Sequence, residues 1–171
     1  MSAKVKLSEI VDGMEFVTDE MSSYLNKETG KVITLMDEEF NAAEDGHYSK
    51  IDLYGLEKEG IDIATEILND ESGEKYLPLP SKFDIHEWSI MRDFCVACED
   101  EKISQSLMNA IHGKGAFRYF KDSVHRFGIA DQWYKYRDNA IRKIAIEWCE
   151  GNDIGYIDDL ISQKEENSAD S

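Results

Sequence analysis

Apolar residues recur every three or four positions along much of this chain, and the breaks in that rhythm divide it into elements. Leu7, Ile10, Val11 and Met14 fall on one side of a helical pattern with Asp12 and Glu15 on the other, predicting a short amphipathic helix over 6–14. Residues 22–26 and 31–35 bracket Lys27-Glu28-Thr29-Gly30, a polar link with glycine where a positive φ is needed. That pattern predicts a β-hairpin. A lone hairpin is marginal in water, so it must pack on helices or gain another strand, and no third strand stands out. Residues 37–54 are acidic and aperiodic, with an Asp45-Gly46 turn signal, and read as loop. Ile61, Ala64, Ile67 and Leu68 restore a helical stripe from about Leu56 to Asn69, ended near Gly73. Leu77-Pro78-Leu79-Pro80 holds both prolines and must be extended, because each proline drives its predecessor out of the α region. It reads as a hinge between halves.

The second half is helical throughout. Asp84 with Glu87 resembles a capping box, followed by Ile85, Trp88, Met91, Cys95 and Cys98 on one side. Asp100 is placed to cap the next helix, whose inward face is Ile103, Leu107, Ala110 and Ile111 before Gly113 and Gly115 interrupt it. A third helix buries Phe117, Phe120, Val124 and Phe127 and stops at Gly128. The fourth runs from about Ile129 to Glu150 with Trp133, Ala140, Ile141, Ile144, Ala145 and Trp148 inward. The expected fold is α+β and mostly α: a short N-terminal helix and β-hairpin, an acidic middle segment, and a C-terminal bundle of about four helices.

A chain of 171 residues with 42% apolar content can bury one sizeable core. The reading is one compact domain over 1–165, hinged at 77–80, with a frayed acidic tail at 166–171. No apolar run is long enough to cross a bilayer, no apolar segment follows Lys4 and Lys6 as in an export signal, and three cysteines are an odd number. A cytoplasmic protein without membrane contact is expected; the oligomeric state is left open.

Charge changes the picture more than composition does. The net charge is −17, yet it is uneven: residues 36–76 carry thirteen acids against three bases, and residues 150–171 seven against one. Between them, His112 to Lys143 reverses sign, with eight Lys and Arg against three Asp. The acidic regions read first as solvated faces, and the basic stretch as the candidate site. At 100° per residue, Lys114, Arg118, Lys121 and His125 fall in one stripe about 60° wide, beside the apolar face of the third helix. Cations at a helix N-terminus oppose the field of its own N–H groups, so this ridge, with Gly113 and Gly115 at its start, is a candidate anion-binding site. A plain solvated basic face is the competing reading. Arg137 falls amid the apolar stripe of the last helix and needs a carboxylate or a ligand, with Asp122 the first partner to expect.

Other chemistry is poorly supported. Cys95 and Cys98 have the spacing of a redox or zinc pair but fit the apolar side of a helix, and no second cysteine pair accompanies them. The four histidines, His47, His86, His112 and His125, form no ligand pair, and no nucleophile has a local signature. No catalytic residue, metal site or cofactor is therefore expected, and the balance leans away from an enzyme.

Gly113-Lys114-Gly115-Ala116-Phe117, Phe120-Lys121-Asp122, Trp133-Tyr134 and Arg137-Asp138 resemble the signature of an uncharacterised bacterial family, number 0158 in the uncharacterised-protein-family series. Glu15-Phe16, Asp19-Glu20, Thr29-Gly30 and Tyr76-Leu77-Pro78 extend the similarity over most of the chain. The resemblance implies a bacterial cytosolic protein and brings no activity, cofactor or catalytic residue. The functional expectation is a binding or regulatory module that takes a phosphate-bearing ligand or a small, single-stranded nucleic-acid footprint on Gly113, Lys114, Gly115, Arg118, Lys121, His125 and Arg137. The alternative is an acidic adaptor that binds a basic protein partner, or mimics nucleic acid, through residues such as Glu57, Glu59 and Asp62. An enzyme on a phosphorylated small molecule, clamped by Arg137, is a third reading.

Overall fold

In the computed structural model, which describes residues 3–45 and 58–160, the chain is α+β and mostly helical. In order it forms β1 (Val5–Lys6), α1 (Leu7–Glu15), β2 (Met21–Asn26), β3 (Lys31–Met36), α2 (Asp37–Asp45), α3 (Lys58–Asn69) and β4 (Tyr76–Pro78). Then come α4 (Lys82–Ile85), α5 (Glu87–Ala97), α6 (Glu101–Ala110), α7 (Ala116–Arg126), α8 (Ala130–Gly151) and β5 (Tyr156–Ile157). Contacts divide the chain into two units, one of residues 1–81 with 145–171, the other of residues 82–144.

In the first unit the expected hairpin forms, with Met21 opposite Met36 through Asn26 opposite Lys31. Gly30 takes φ +73° as its turn requires, and Asn26 Oδ1 accepts from the Glu28 and Thr29 N–H groups. The third strand that the hairpin needs is Tyr76–Pro78, paired antiparallel to β2 to give the order β3-β2-β4. Proline is tolerated there because β4 is an edge and Pro78 sits opposite Tyr24, at a position that does not bond across this pair. The flanking bonds, Leu79 N–H to Ser23 O and Lys27 N–H to Lys75 O, set that phase.

Gly13 lets α1 settle closely on the sheet. A Cβ there would lie 2.9 Å from Val32 Cγ1 and 2.7 Å from Leu79 Cδ1. The Gly13 carbonyl accepts from Ser23 Oγ at 3.0 Å. Leu7, Ile10 and Met14 are buried as their spacing predicts, and with Leu25, Leu35, Ile61 and Ala64 they supply much of this core. Residues 145–160 return here, where β5 pairs parallel with β1 and the Ser8 N–H and Oγ both donate to Asp159. No side chain within α1 caps its start, so Asp159 does so from 151 residues away.

The loop expected from residue 37 is a helix as far as Asp45. Asp37, Glu38 and Glu39 stand in its first turn, where the helix field favours acids, and Phe40 packs on Tyr24 with ring centroids 5.8 Å apart. One aromatic and two alanines are too few to display a period, which is why the pattern read as loop. The remainder of that acidic segment, with His47 and Glu57, and the expected frayed tail lie outside the described residues.

In the second unit the core is a cluster of rings. Phe120 stacks edge-on with Trp133 at 4.7 Å, and Phe94 meets Trp133 and Tyr136, each at 5.4 Å. Asp100 caps α6 as expected, accepting from the Lys102 and Ile103 N–H groups. Gly128 ends α7 with φ +70°, through Ile129 N–H to Val124 O and Gly128 N–H to His125 O, a Schellman motif. α5 does not start from Asp84 as the capping-box spacing predicts. Asp84 belongs to the separate short helix α4, and His86 in the left-handed conformation (φ 48°) divides it from α5. Phe117, expected inward, is 50% exposed, because it lies at the edge of the apolar face rather than in it. Trp88 is likewise 38% exposed, with its Nε1 donating to Ile111 O at 3.0 Å.

Candidate anion-binding surface on α7

The turn from Ile111 to Gly115 delivers the chain into α7 without a side-chain cap. Gly115 is the residue before the helix, in the left-handed region at φ 72°, and no acid occupies the first turn. The N–H groups of Ala116, Phe117 and Arg118 therefore begin the helix with no intrahelical acceptor. Tyr119 folds back beside this end, its ring 3.4 Å from where a Cβ on Gly115 would stand. Gly113 has open space around the equivalent position.

Of the expected ridge, α7 brings together Arg118, Lys121 and His125, all exposed and spread over about 10 Å of helix. Lys114 does not join their stripe, because helical geometry starts only at Ala116; it sits in the preceding turn, exposed between the two glycines. Lys114, Arg118 and Lys121 make no ion pair among the described residues. Arg137 is elsewhere. Its Nε donates to Glu87 Oε1 at 2.8 Å, with the guanidinium side chain 24% exposed. The partner is thus Glu87 of α5 rather than Asp122. The two helices meet through the Phe94–Tyr136 contact, which places Glu87 along α8 where sequence spacing gave no hint.

Aromatic rings flank the cations. Phe117, Lys121 and His125 follow one another at four-residue spacing, and the His125 ring meets Tyr134 of α8 at 6.3 Å. Tyr119 is 59% and Tyr134 43% exposed. Charge and spacing alone do not single out Tyr134, although adjacent helical residues point about 100° apart and a buried Trp133 turns it outward. The result is a cationic strip interleaved with rings, without a carboxylate in its first turn.

The family model described as an uncharacterised protein family, UPF0158, matches residues 3–165. The chain belongs to that family. Among curated proteins it is similar to UPF0158 protein PA5073 of Pseudomonas aeruginosa, 27% identical over 114 residues, covering 63% of this chain and 73% of the relative. No solved structure matches. Membership brings no established function.

Groups suited to other chemistry are engaged in the fold. Burial pushes the Cys95 and Cys149 thiols up to about 11, which keeps them protonated and unreactive at neutral pH. Cys98 is half-buried at the end of α5. Among the described residues no three His, Cys, Asp or Glu side chains are grouped to hold a metal ion, and no helix is long and apolar enough to cross a membrane.

Proposed function

We propose that this UPF0158 member is a binding module whose α7 surface takes short, single-stranded nucleic acid. One observation carries the reading: exposed cations without internal ion pairs alternate with exposed rings along Phe117, Arg118, Tyr119, Lys121, His125 and Tyr134. Phosphates need cations and hydrogen-bond donors, whereas unpaired bases need flat apolar faces, and this strip offers both at adjacent positions. The uncapped α7 N-terminus, with Lys114 in the turn before it, supplies donors for a further phosphate. A net charge of −17 repels nucleic acid beyond the strip, which limits the footprint and disfavours long duplex contact. In this reading Arg137 holds α8 to α5 and contacts no ligand.

The test is fluorescence anisotropy of a labelled short oligothymidylate across salt concentrations. Three phosphate contacts on a single strand give a log–log salt slope of about −2, and Lys121→Ala removes about 0.7 of it. Tyr119→Ala weakens binding by about 1–3 kcal/mol with the slope unchanged, as loss of a stacked base does. Salt-independent binding, or binding that Lys121→Ala and Tyr119→Ala leave intact, rejects the proposal.

A further inference from the structure

A second surface, in the first unit, offers a ligand its backbone as well as its side chains. Leu79 N–H donates to Ser23 O at 3.0 Å and Lys27 N–H to Lys75 O at 2.8 Å, so the odd-numbered residues of β2 turn their polar backbone groups toward β4. Antiparallel pairing alternates, and the even-numbered residues therefore bond to β3, Tyr24 to Ile33 among them. Val32 and Thr34, the residues between those bonds on β3, aim their N–H and C=O groups away from the sheet. Among the described residues β3 pairs with β2 alone.

The side chains of the same two residues face α1. Val32 Cγ1 approaches Gly13, and Thr34 Oγ1 is 2.7 Å from Ser23 Oγ. Beside them lies an open cleft of about 400 Å³, walled by Glu9, Asp12 and Phe16 of the α1 segment and by Lys31, Val32 and Thr34 of β3. Phe16 is 71% exposed, the second most open large apolar side chain after Val96 among those described. Glu9 and Asp12 are exposed and make no ion pair among the described residues.

We propose that β3 accepts an extended segment of a basic partner protein as an added strand, with one inward lysine or arginine seated in the cleft. An unpaired edge gives main-chain affinity, and the cleft beside it gives side-chain selectivity at alternate positions. The basic side chain lays its stem across Phe16 and its charge beside Glu9 and Asp12, where the ring face and carboxylates both favour a cation. Charge decides between occupants. The chain's own C-terminal residues 162–171 hold Lys164 against Glu165, Glu166 and Asp170, and a second copy brings another −17. Lys31 offsets one of the two carboxylates, which leaves the cleft wall a net −1; neither acidic occupant complements that sign, whereas a basic segment does. This proposal rests on residues of the first unit alone and stands without the nucleic-acid reading.

The experiment titrates isotope-labelled full-length protein with eight-residue peptides alternating Lys-Val, Arg-Val, Ser-Val or Glu-Val, followed by amide shifts. The Lys-Val and Arg-Val peptides are expected to move the Val32 and Thr34 amides and to bind at least tenfold more tightly than Glu-Val. Glu9→Gln with Asp12→Asn erases most of that preference. N-methylation of alternate peptide residues, which removes the partner's donors and leaves this protein unaltered, weakens binding at least tenfold. Thr34→Pro, which deletes an outward N–H, has a similar effect. The proposal is overturned if neither basic peptide binds, if methylated and unmodified peptides bind equally, if Glu-Val binds as well as Lys-Val, or if the Val32 and Thr34 amides respond to protein concentration alone.

Discussion

Replacing Asp159 with alanine removes a helix cap supplied from the far end of the chain. Asp159 accepts from the Ser8 N–H at 3.0 Å and from the Ser8 hydroxyl, at the start of α1 and beside the β1–β5 pair. Loss of an N-cap costs about 0.5–2 kcal/mol, and a carboxylate near the positive end of a helix adds about 0.3–1 kcal/mol. Because Asp159 is only half-buried, we take about 2 kcal/mol for Asp159→Ala and about half that for Asp159→Asn, which retains an acceptor but not the charge. Such a cost speeds exchange of the α1 amides about 30-fold where they open locally.

The effect carries a pH signature. Partial burial opposes ionisation of Asp159, but the two Ser8 hydrogen bonds, joined by its own backbone N–H and the charge of Lys6, outweigh it and hold the carboxyl below its ordinary value. A depressed native pKa contributes stability that is complete above the unfolded value of about 3.9 and is lost as pH falls through the native value. Urea denaturation followed by circular dichroism, together with hydrogen exchange, should show the full gap between wild type and Asp159→Ala at pH 7 and a shrinking gap below about pH 4. Equal stabilities at neutral pH, or a gap that persists undiminished in acid, would refute the capping argument.

Other substitutions probe the same physics. Gly30→Ala should destabilise by about 2 kcal/mol in thermal or urea denaturation, since φ is +73° and the new Cβ would stand 2.9 Å from the Lys4 carbonyl. Asp153→Gly should stabilise by about 1 kcal/mol, because Asp153 holds φ 56° where α8 ends through Ile154 N–H to Cys149 O, a position suited to glycine. Phe120→Ala, which empties the centre of the ring cluster, should cost about 3–5 kcal/mol and release the α5, α7 and α8 amides to faster exchange.

What could be read from the chain was what local chemistry decides. Leu7, Ile10 and Met14 announce α1, Thr29-Gly30 the hairpin turn, Asp100 the α6 cap and Gly128 the end of α7, because each is a choice made within a few residues. β4 and β5 were not legible: strands of three and two residues hold no period, and a pairing such as Val5 with Tyr156 depends on the assembled fold. For the same reason Arg137 was expected to need a carboxylate or a ligand, with Asp122 first, and its pairing with Glu87 was not legible. On α7 the cations could be identified from type and spacing. Their separation from Lys114 turned on where helical geometry begins, and the outward rings of Phe117 and Tyr134 on how wide the buried face is. Gly113, Gly115 and Lys114 are thus the approach to the candidate site, and Arg118, Lys121 and His125 its helical part.

The most direct measurement is an amide and aromatic shift map of the labelled full-length protein titrated with short oligothymidylate at low ionic strength. The account predicts changes confined to residues 113–126 and Tyr134, with the Tyr119 ring signals moving upfield under a stacked base and the Glu87–Arg137 region unmoved. Shifts centred elsewhere, or none at millimolar oligonucleotide, would contradict it.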